Sequence, residues 1–187
     1  MPKITTIILI ALLSVSTQVL AKKIKDIDIA ETVTTSANVT LNLNGAGIRT
    51  KFFFDIYIGA LYLEQKTDKV EKILSGGTNR VTMHILYKEL TKEKLTDGWV
   101  SGFESNNNKE QFKKLEARLT EFSNLFTSLK KGDVVQIDYS ETSGTQVRIN
   151  NQLRGSIQGG DFNTALLKVW LGEKPADSGL KKDMLGK

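Results

Sequence analysis

The chain has 187 residues with a formal net charge of +5 and no cysteine, so disulfides and a cysteine-linked lipid anchor are excluded. Its lysines have acidic residues between most of them, which is typical of a solvated surface and not of a basic stripe. We therefore predict a protein that does not bind nucleic acid.

The first 21 residues have the pattern of a cleaved secretory signal. The single basic residue Lys3 precedes an apolar stretch from Ile7 to Val15, and the segment ends in the small residue Ala21. That stretch is too short to span a bilayer of about 30 Å as a helix. We expect residues 22–187 to form one exported domain, periplasmic and without a transmembrane segment after cleavage. The alternative is that residues 1–21 form a buried N-terminal helix or strand.

The first half of the remaining chain predicts three strands. Apolar and polar residues alternate from Asn38 to Asn44, and Gly45 and Gly47 are expected to bend the chain. Residues 52–63 are apolar on both faces, which predicts a strand covered on both sides. Residues 80–87 alternate again and predict the third strand.

Two helices are predicted next. Thr91 can cap a helix in which three apolar residues recur at a spacing of four, namely Leu95, Trp99 and Phe103. Asn106 to Asn108 should end it. A longer amphipathic helix is expected from about Lys109 to Leu129, ended by Lys130 to Gly132.

The last third returns to a period of two and predicts a meander of three strands, with Asn150–Asn151 as a tight turn. Asp161 is then the expected N-cap of a helix over 162–171 that Gly172 ends, and a short helix follows at about 177–185. Strands and helices do not alternate strictly. We therefore predict an α+β fold, an antiparallel sheet with helices packed on it.

The residues offer few ways to build a metal or hydrolase site. His84 is the only histidine, and no cysteine or second histidine completes a zinc set, so we predict no metal and no cofactor. No Gly-x-Ser-x-Gly elbow is present for a hydrolase. The segment GSIQGG at 155–160 lacks the lysine of a phosphate-binding loop.

Arg49 is the most informative polar residue, because it stands between a Gly-Ala-Gly turn and a long apolar strand. A guanidinium next to so much buried surface needs an anionic partner. That partner is either a ligand or an internal acid such as Asp55 or Asp97, in which case Arg49 ties a turn to the sheet.

Three segments resemble the bacterial branch of the chalcone isomerase-like proteins: GAGIRTKFFFDIYIGALYL, ELTKEKLTDGWVSGF and LRGSIQGGDFNTALLKVWLGEKPADSGLKKDMLG. The resemblance extends from about Asn38 to the end of the chain. It implies an open-faced sandwich, with a large antiparallel sheet, helices layered on one side and a ligand cleft between them. Plant members cyclise a chalcone to a flavanone, and non-catalytic relatives bind fatty acids.

The resemblance also implies site residues. The arginine of Gly-Ala-Gly-x-Arg, which lies in the cleft of the enzymes, is Arg49 here. The enzymes' catalytic threonine corresponds to Tyr57, where the fatty-acid-binding relatives also have tyrosine. The enzymes' tyrosine and asparagine correspond to Leu90 and Asp97, and a helical serine or threonine is retained as Thr164.

These positions favour a non-catalytic binder of a small amphipathic carboxylate such as a fatty acid, with Arg49, Tyr57, Asp97 and Thr164 as ligand-binding residues. One alternative is an isomerase or lyase acting on a phenolic or enone substrate, although the lost tyrosine and the new carboxylate of Asp97 count against it. The other is a periplasmic scaffold or partner protein that binds no small ligand.

Overall fold

The structure is a computed structural model that describes residues 21–187. The predicted secretory signal lies outside the described residues, apart from its last residue, Ala21. Ala21 begins a strand that pairs with the next one in a short hairpin.

Eleven strands are found in the described part of the chain: β1 Ala21–Ile24, β2 Ile27–Ala30, β3 Thr32–Thr34, β4 Thr40–Lys51, β5 Phe54–Leu63, β6 Asn79–Ile85, β7 Glu89–Leu90, β8 Leu129–Lys130, β9 Val134–Ser140, β10 Gly144–Ile149 and β11 Gln152–Ile157. Seven of them form one sheet in the order β11-β10-β9-β6-β5-β4-β3, and every neighbouring pair is antiparallel. Strands β1 and β2 form a separate hairpin, as do β7 and β8.

Five helices accompany the strands: α1 Val70–Leu74, α2 Lys92–Asn106, α3 Lys109–Asn124, α4 Gly160–Leu171 and α5 Ser178–Met184. The predicted cap of α2 is confirmed, since the Thr91 side chain accepts a hydrogen bond from the backbone N–H of Lys94. Asn108 and Gln111 form a capping box at the start of α3. In residues 21–187, every helix is too short or too polar to cross a bilayer.

The two faces of the sheet are covered differently. The larger core lies between the sheet and the helices, where aromatic rings from α2, α3 and α4 pack together: Trp99, Phe103, Phe122, Phe162 and Trp170. On the opposite face, Ile29 of the N-terminal hairpin packs with Leu41, Ile58 and Tyr62. The predicted α+β class, a large antiparallel sheet with a layer of helices, is confirmed.

Gly45 and Gly47 do not end the first predicted strand, because β4 continues through both of them, with a register shift between Leu43 and Gly45. They serve instead for the close approach of α5. A Cβ atom on Gly45 would overlap the backbone of Asp183, and one on Gly47 would overlap its carboxylate. The glycines therefore let the last helix pack directly on the strand that carries Arg49.

The predicted strand over residues 52–63 is correct only from Phe54 onward. Phe52 and Phe53 form the two-residue turn between β4 and β5, and all three phenylalanines from 52 to 54 are exposed. The prediction that these residues are buried rested on their hydrophobic character alone. In the structure, the buried part of the strand begins at Ile56.

Two helix boundaries also differ from the prediction. Helix α3 ends at Asn124, not near Leu129, because Leu129 pairs with Leu90 in the β7–β8 hairpin. Helix α4 begins at Gly160 with Gly159 as its N-cap. Asp161 lies in its first turn instead, where its carboxylate accepts two hydrogen bonds from the Arg118 guanidinium at 2.8 and 2.6 Å.

Candidate functional site

Arg49 and Tyr57 are direct cross-strand partners in the β4–β5 pair. Residues opposite each other in an antiparallel pair project from the same face of the sheet, so the two side chains are neighbours. The Arg49 Cζ atom lies 5.6 Å from the centroid of the Tyr57 ring, which is within range of a cation–π contact. The strand register therefore places side by side the two residues that the sequence predicts to contact one ligand.

A cleft of about 810 Å³ opens between the end of the β4–β5 hairpin, helix α2 and the loop that follows α4. This volume falls within the usual range for small-molecule sites. Its apolar wall is formed by Phe54, Ile56, Tyr87 and Leu90, and its polar groups include Arg49, Lys94 and Asp97. A charged group at one end and an apolar wall suit an amphipathic ligand.

Arg49 has no acidic partner within residues 21–187: no carboxylate there lies within ion-pairing distance of its guanidinium. Its Nε atom is buried and donates no hydrogen bond to any described residue. Asp55, one of the two internal acids considered, pairs with Lys25 and accepts from Thr50. Arg49 therefore lines the cleft with a buried Nε that has no acceptor among the described residues.

The nearby carboxylate of Asp177 is engaged elsewhere. Its two oxygens accept hydrogen bonds from the backbone N–H groups of Thr50 and Leu180, at 3.0 and 2.9 Å. Asp177 thereby caps α5 and fixes that helix to the end of β4. Among the described residues, no acid therefore serves as the internal ion-pair partner of Arg49.

Tyr57 is a fully enclosed side chain with one hydrogen bond already made. Its hydroxyl oxygen accepts from the Trp170 indole Nε1 at 2.9 Å, and the residue is 2% exposed. Burial raises the pKa of Tyr57, which the positive charge of Arg49 partly opposes. The hydroxyl therefore stays protonated at neutral pH, and its own proton is available for donation.

A small cavity of about 20 Å³ lies next to the cleft. It is lined by Tyr57, and it shares five residues with the larger cleft: Arg49, Leu90, Lys94, Gly98 and Ala176. Such a space holds about one water molecule, or a single oxygen of a ligand headgroup. Arg49 and Tyr57 thus both line one small space next to the cleft.

Asp97 and Thr164 lie in different places. Asp97 is an exposed residue of α2 that lines the cleft, so it shares the site with Arg49 without pairing to it. Thr164 lies on α4, and its hydroxyl donates to the backbone oxygen of Leu74 at 3.2 Å. Arg49 and Asp97 line the cleft, Arg49 and Tyr57 line the small cavity beside it, and Thr164 lines neither.

Gly98 and Trp170 are among the residues of the site that the sequence analysis missed. Gly98 lines the cleft from the middle of α2, and a Cβ atom there would meet nothing within 4 Å. A glycine costs about 1 kcal/mol relative to alanine inside a helix, and this cost was the available signal. Trp170 donates to the Tyr57 hydroxyl, and this contact was missed because the two residues lie 113 positions apart in sequence.

The only histidine does not contribute to this site. His84 lies on β6, is half-buried, and burial lowers its pKa. In the part of the chain that the structure describes, no three His, Asp or Glu side chains cluster as metal ligands would.

Comparisons with known proteins agree with this architecture. A family model described as chalcone isomerase-like matches residues 21–186. Among solved structures, the chain is similar to a fatty-acid binding protein of Arabidopsis thaliana, with a TM-score of 0.58 and 16% sequence identity over 83% of this chain and 96% of that one. At that identity the likeness concerns the fold. No curated protein sequence gave a match.

Proposed function

The chain belongs to the chalcone isomerase-like family, and on that premise we propose that it is a non-catalytic protein whose cleft binds a small amphipathic carboxylate such as a fatty acid. The observation that carries this proposal is Arg49, whose buried Nε has no acceptor within residues 21–187. An unsatisfied buried donor costs about 1–3 kcal/mol, and more when it is charged. A ligand carboxylate would supply the missing acceptor.

The headgroup site combines three favourable features. The guanidinium can donate two parallel charge-assisted hydrogen bonds to a carboxylate. The protonated Tyr57 hydroxyl adds a neutral donor beside it. The ligand's tail would extend along the apolar wall formed by Phe54, Ile56 and Tyr87. The name of the similar plant protein, a fatty-acid binding protein, is consistent with this chemistry.

Isomerase chemistry is less well supported by the same groups. Ring closure of a phenolic substrate needs stabilisation of an oxyanion. Asp97, at the position where the enzymes have asparagine, places a carboxylate in the cleft, and a carboxylate has no N–H to donate to a developing oxyanion. Leu90 offers no hydroxyl at the position where the enzymes have tyrosine. Binding needs only an anion site and an apolar wall, and both are present.

We also propose that the protein acts after export, because residues 1–21 have the pattern of a cleaved signal. Sequencing the N-terminus of the protein from a periplasmic extract tests this. The expected first residue is Lys22, and recovery of the intact N-terminus from the cytoplasm would contradict export.

Binding is tested by native mass spectrometry of the purified protein and of Arg49→Ala, followed by titration of the lipid-free proteins with palmitate and with hexadecanol. We expect palmitate to bind the wild-type protein and Arg49→Ala to weaken it by roughly 10- to 100-fold, as expected for loss of charge-assisted hydrogen bonds. Hexadecanol, which lacks the carboxylate, should discriminate little between the two. Unchanged lipid content or palmitate affinity in Arg49→Ala would refute the proposal.

Two further variants separate the headgroup site from the cleft. Arg154→Ala removes a matched, exposed arginine on β11 and should leave palmitate affinity unchanged. Gly98→Leu places a side chain into open space in the cleft, so it should reduce binding of palmitate and hexadecanol alike. If Gly98→Leu leaves both affinities unchanged, the tail does not lie in this cleft.

A further inference from the structure

The turn between β4 and β5 carries the most exposed aromatic surface of the described chain. Phe52 is 79% exposed, Phe53 is 102% exposed and Phe54 is 57% exposed. Of the three, Phe54 makes an edge-on contact with Tyr87, with the ring centroids 5.6 Å apart. We call these three residues the phenylalanine tip.

The backbone of the tip is in a conformation that phenylalanine disfavours. Phe52 and Phe53 have φ angles of 49° and 68°, both in the left-handed region. A two-residue hairpin turn with both φ values positive is the type that asparagine and glycine usually fill. L-residues with a Cβ lose stability there.

The chain itself contains the matched comparison. The turn between β10 and β11 is formed by Asn150 and Asn151, with φ angles of 51° and 67°. The two turns have nearly the same φ angles, but one uses the residues that tolerate the conformation and the other uses two exposed phenylalanines. Since the Phe52–Phe53 turn gains little internal packing for its backbone strain, its side chains are suited to a contact outside the chain.

We propose that the phenylalanine tip inserts into the surface of an anionic lipid bilayer. The charges around it fit such a surface. Lys51, Lys94 and Lys174 are exposed on the cleft that the tip borders, against two exposed acids, Glu89 and Asp97. The Lys51 Nζ lies 5.8 Å from the centroid of the Phe52 ring, so a charged group and an aromatic ring project together.

The shape of the tip favours a bilayer over a protein partner. Stable protein interfaces bury about 1,200–2,000 Å². A convex two-residue turn offers much less area than that. Aromatic side chains flanked by lysines are, by contrast, the composition that binds membrane interfaces.

The position of the tip connects docking to the cleft. Phe52 and Phe54 line the cleft themselves, so insertion of the tip would bring the cleft mouth to the bilayer surface. An amphipathic carboxylate could then pass between bilayer and cleft without crossing water. This last step rests on the proposed function, whereas docking of the tip does not require it.

The test is co-sedimentation of the purified protein with vesicles of phosphatidylethanolamine and phosphatidylglycerol, compared with vesicles of phosphatidylcholine alone. Intact mass first establishes that the apolar leader is absent, so that it cannot account for binding. We expect the wild-type protein to bind the anionic vesicles. Phe53→Gly should weaken that binding by at least roughly tenfold through lost apolar burial. Leu153→Ser, which removes an exposed leucine from edge strand β11, should leave it unchanged.

The lysines supply a second measurement. The variant Lys51→Gln, Lys94→Gln, Lys174→Gln should bind anionic vesicles roughly fivefold more weakly for each charge removed, and with less dependence on salt. Equal binding of wild-type protein and Phe53→Gly, or absence of wild-type binding to anionic vesicles, would overturn the proposal. So would a lipid-free dimer that Phe53→Gly dissociates, since the tip would then bind a second copy of the chain.

Failure of docking and failure of ligand binding give different results. Phe53 does not line the cleft, so Phe53→Gly should retain the wild-type affinity for palmitate dissolved without vesicles. Loss of vesicle binding with palmitate affinity intact supports docking through the tip. If neither protein binds palmitate, the proposed ligand is wrong, and the vesicle comparison still decides whether the tip docks.

Discussion

Replacing Phe52–Phe53 with Asn-Gly is expected to stabilise the protein, although the change removes two large apolar side chains. Both residues are in the left-handed region and largely exposed. Removal of buried phenylalanines would cost several kcal/mol, at about 3–5 for each one. The sign of the effect therefore distinguishes an exposed, strained tip from a packed one.

The magnitude follows from the two φ angles. The left-handed conformation costs about 1–2 kcal/mol for each L-residue with a Cβ, and asparagine and glycine avoid most of that cost. Glycine offsets about 0.5–1 kcal/mol of that gain, because it makes the unfolded chain more flexible. We expect a net gain of about 1–2 kcal/mol, which for a domain of this size raises the Tm by about 2–8 °C.

Differential scanning calorimetry and urea denaturation of the wild-type protein and the Asn-Gly variant measure this gain. Asn151→Phe is the matched reverse control, because it places phenylalanine at a φ of 67° in the other hairpin turn and should lower stability by about 1–2 kcal/mol. A lower Tm for the Asn-Gly variant would show that the phenylalanines hold the fold together, and it would refute the strain argument.

Three further predictions concern the tyrosines and catalysis. Tyr57→Phe removes the acceptor of the Trp170 indole, so urea denaturation should show a loss of about 1–3 kcal/mol, whereas an unchanged midpoint would mean that the bond contributes nothing. Burial raises the pKa of Tyr62 to about 12, above its unfolded value of about 10, so the neutral side chain stabilises the fold below pH 10 and stability declines as the pH rises from 10 toward 12. Thermal denaturation across that range should show a smaller decline for Tyr62→Phe, and an equal decline would assign the effect to other groups. Addition of a chalcone should give no accelerated flavanone formation, and turnover that disappears in Arg49→Ala would establish the isomerase instead.

The sequence predicted the architecture well where local periodicity decides it. The alternation in β9 to β11 and the turn at Asn150–Asn151 follow directly from residue pattern and turn chemistry, and so does the start of α2 at its Thr91 cap. These features depend on neighbours within a few residues, which a sequence displays.

Features that depend on packing between distant segments were predicted less well. The sequence does not show why glycine is needed at positions 45 and 47, because α5 packs against them from more than 130 residues farther along the chain. The sequence predicted that three consecutive phenylalanines are buried. They are exposed, because hydrophobic character alone does not determine whether a side chain is buried. Thr164 was grouped with Arg49, but the packing of α4 directs its hydroxyl to Leu74.

The proposed anion site shows what the sequence could predict and what it could not. Motif and strand register agree on Arg49 beside Tyr57. The absence of an internal acid partner within residues 21–187 required coordinates, because Asp55 stands close in sequence yet pairs with Lys25. The sequence identified Arg49 as the charged group, and the structure showed that no described acid pairs with it.

The most direct test of the account is NMR of palmitate, isotope-labelled at its carboxyl carbon and titrated with pH while bound to the protein. If Arg49 holds the carboxylate, the pKa of the bound carboxyl lies below that of the same group bound to Arg49→Gln, because the guanidinium favours the ionised form. Arg154→Gln should give the wild-type titration. Identical carboxyl titrations in the wild-type protein and Arg49→Gln would contradict the assignment of Arg49 as the headgroup site.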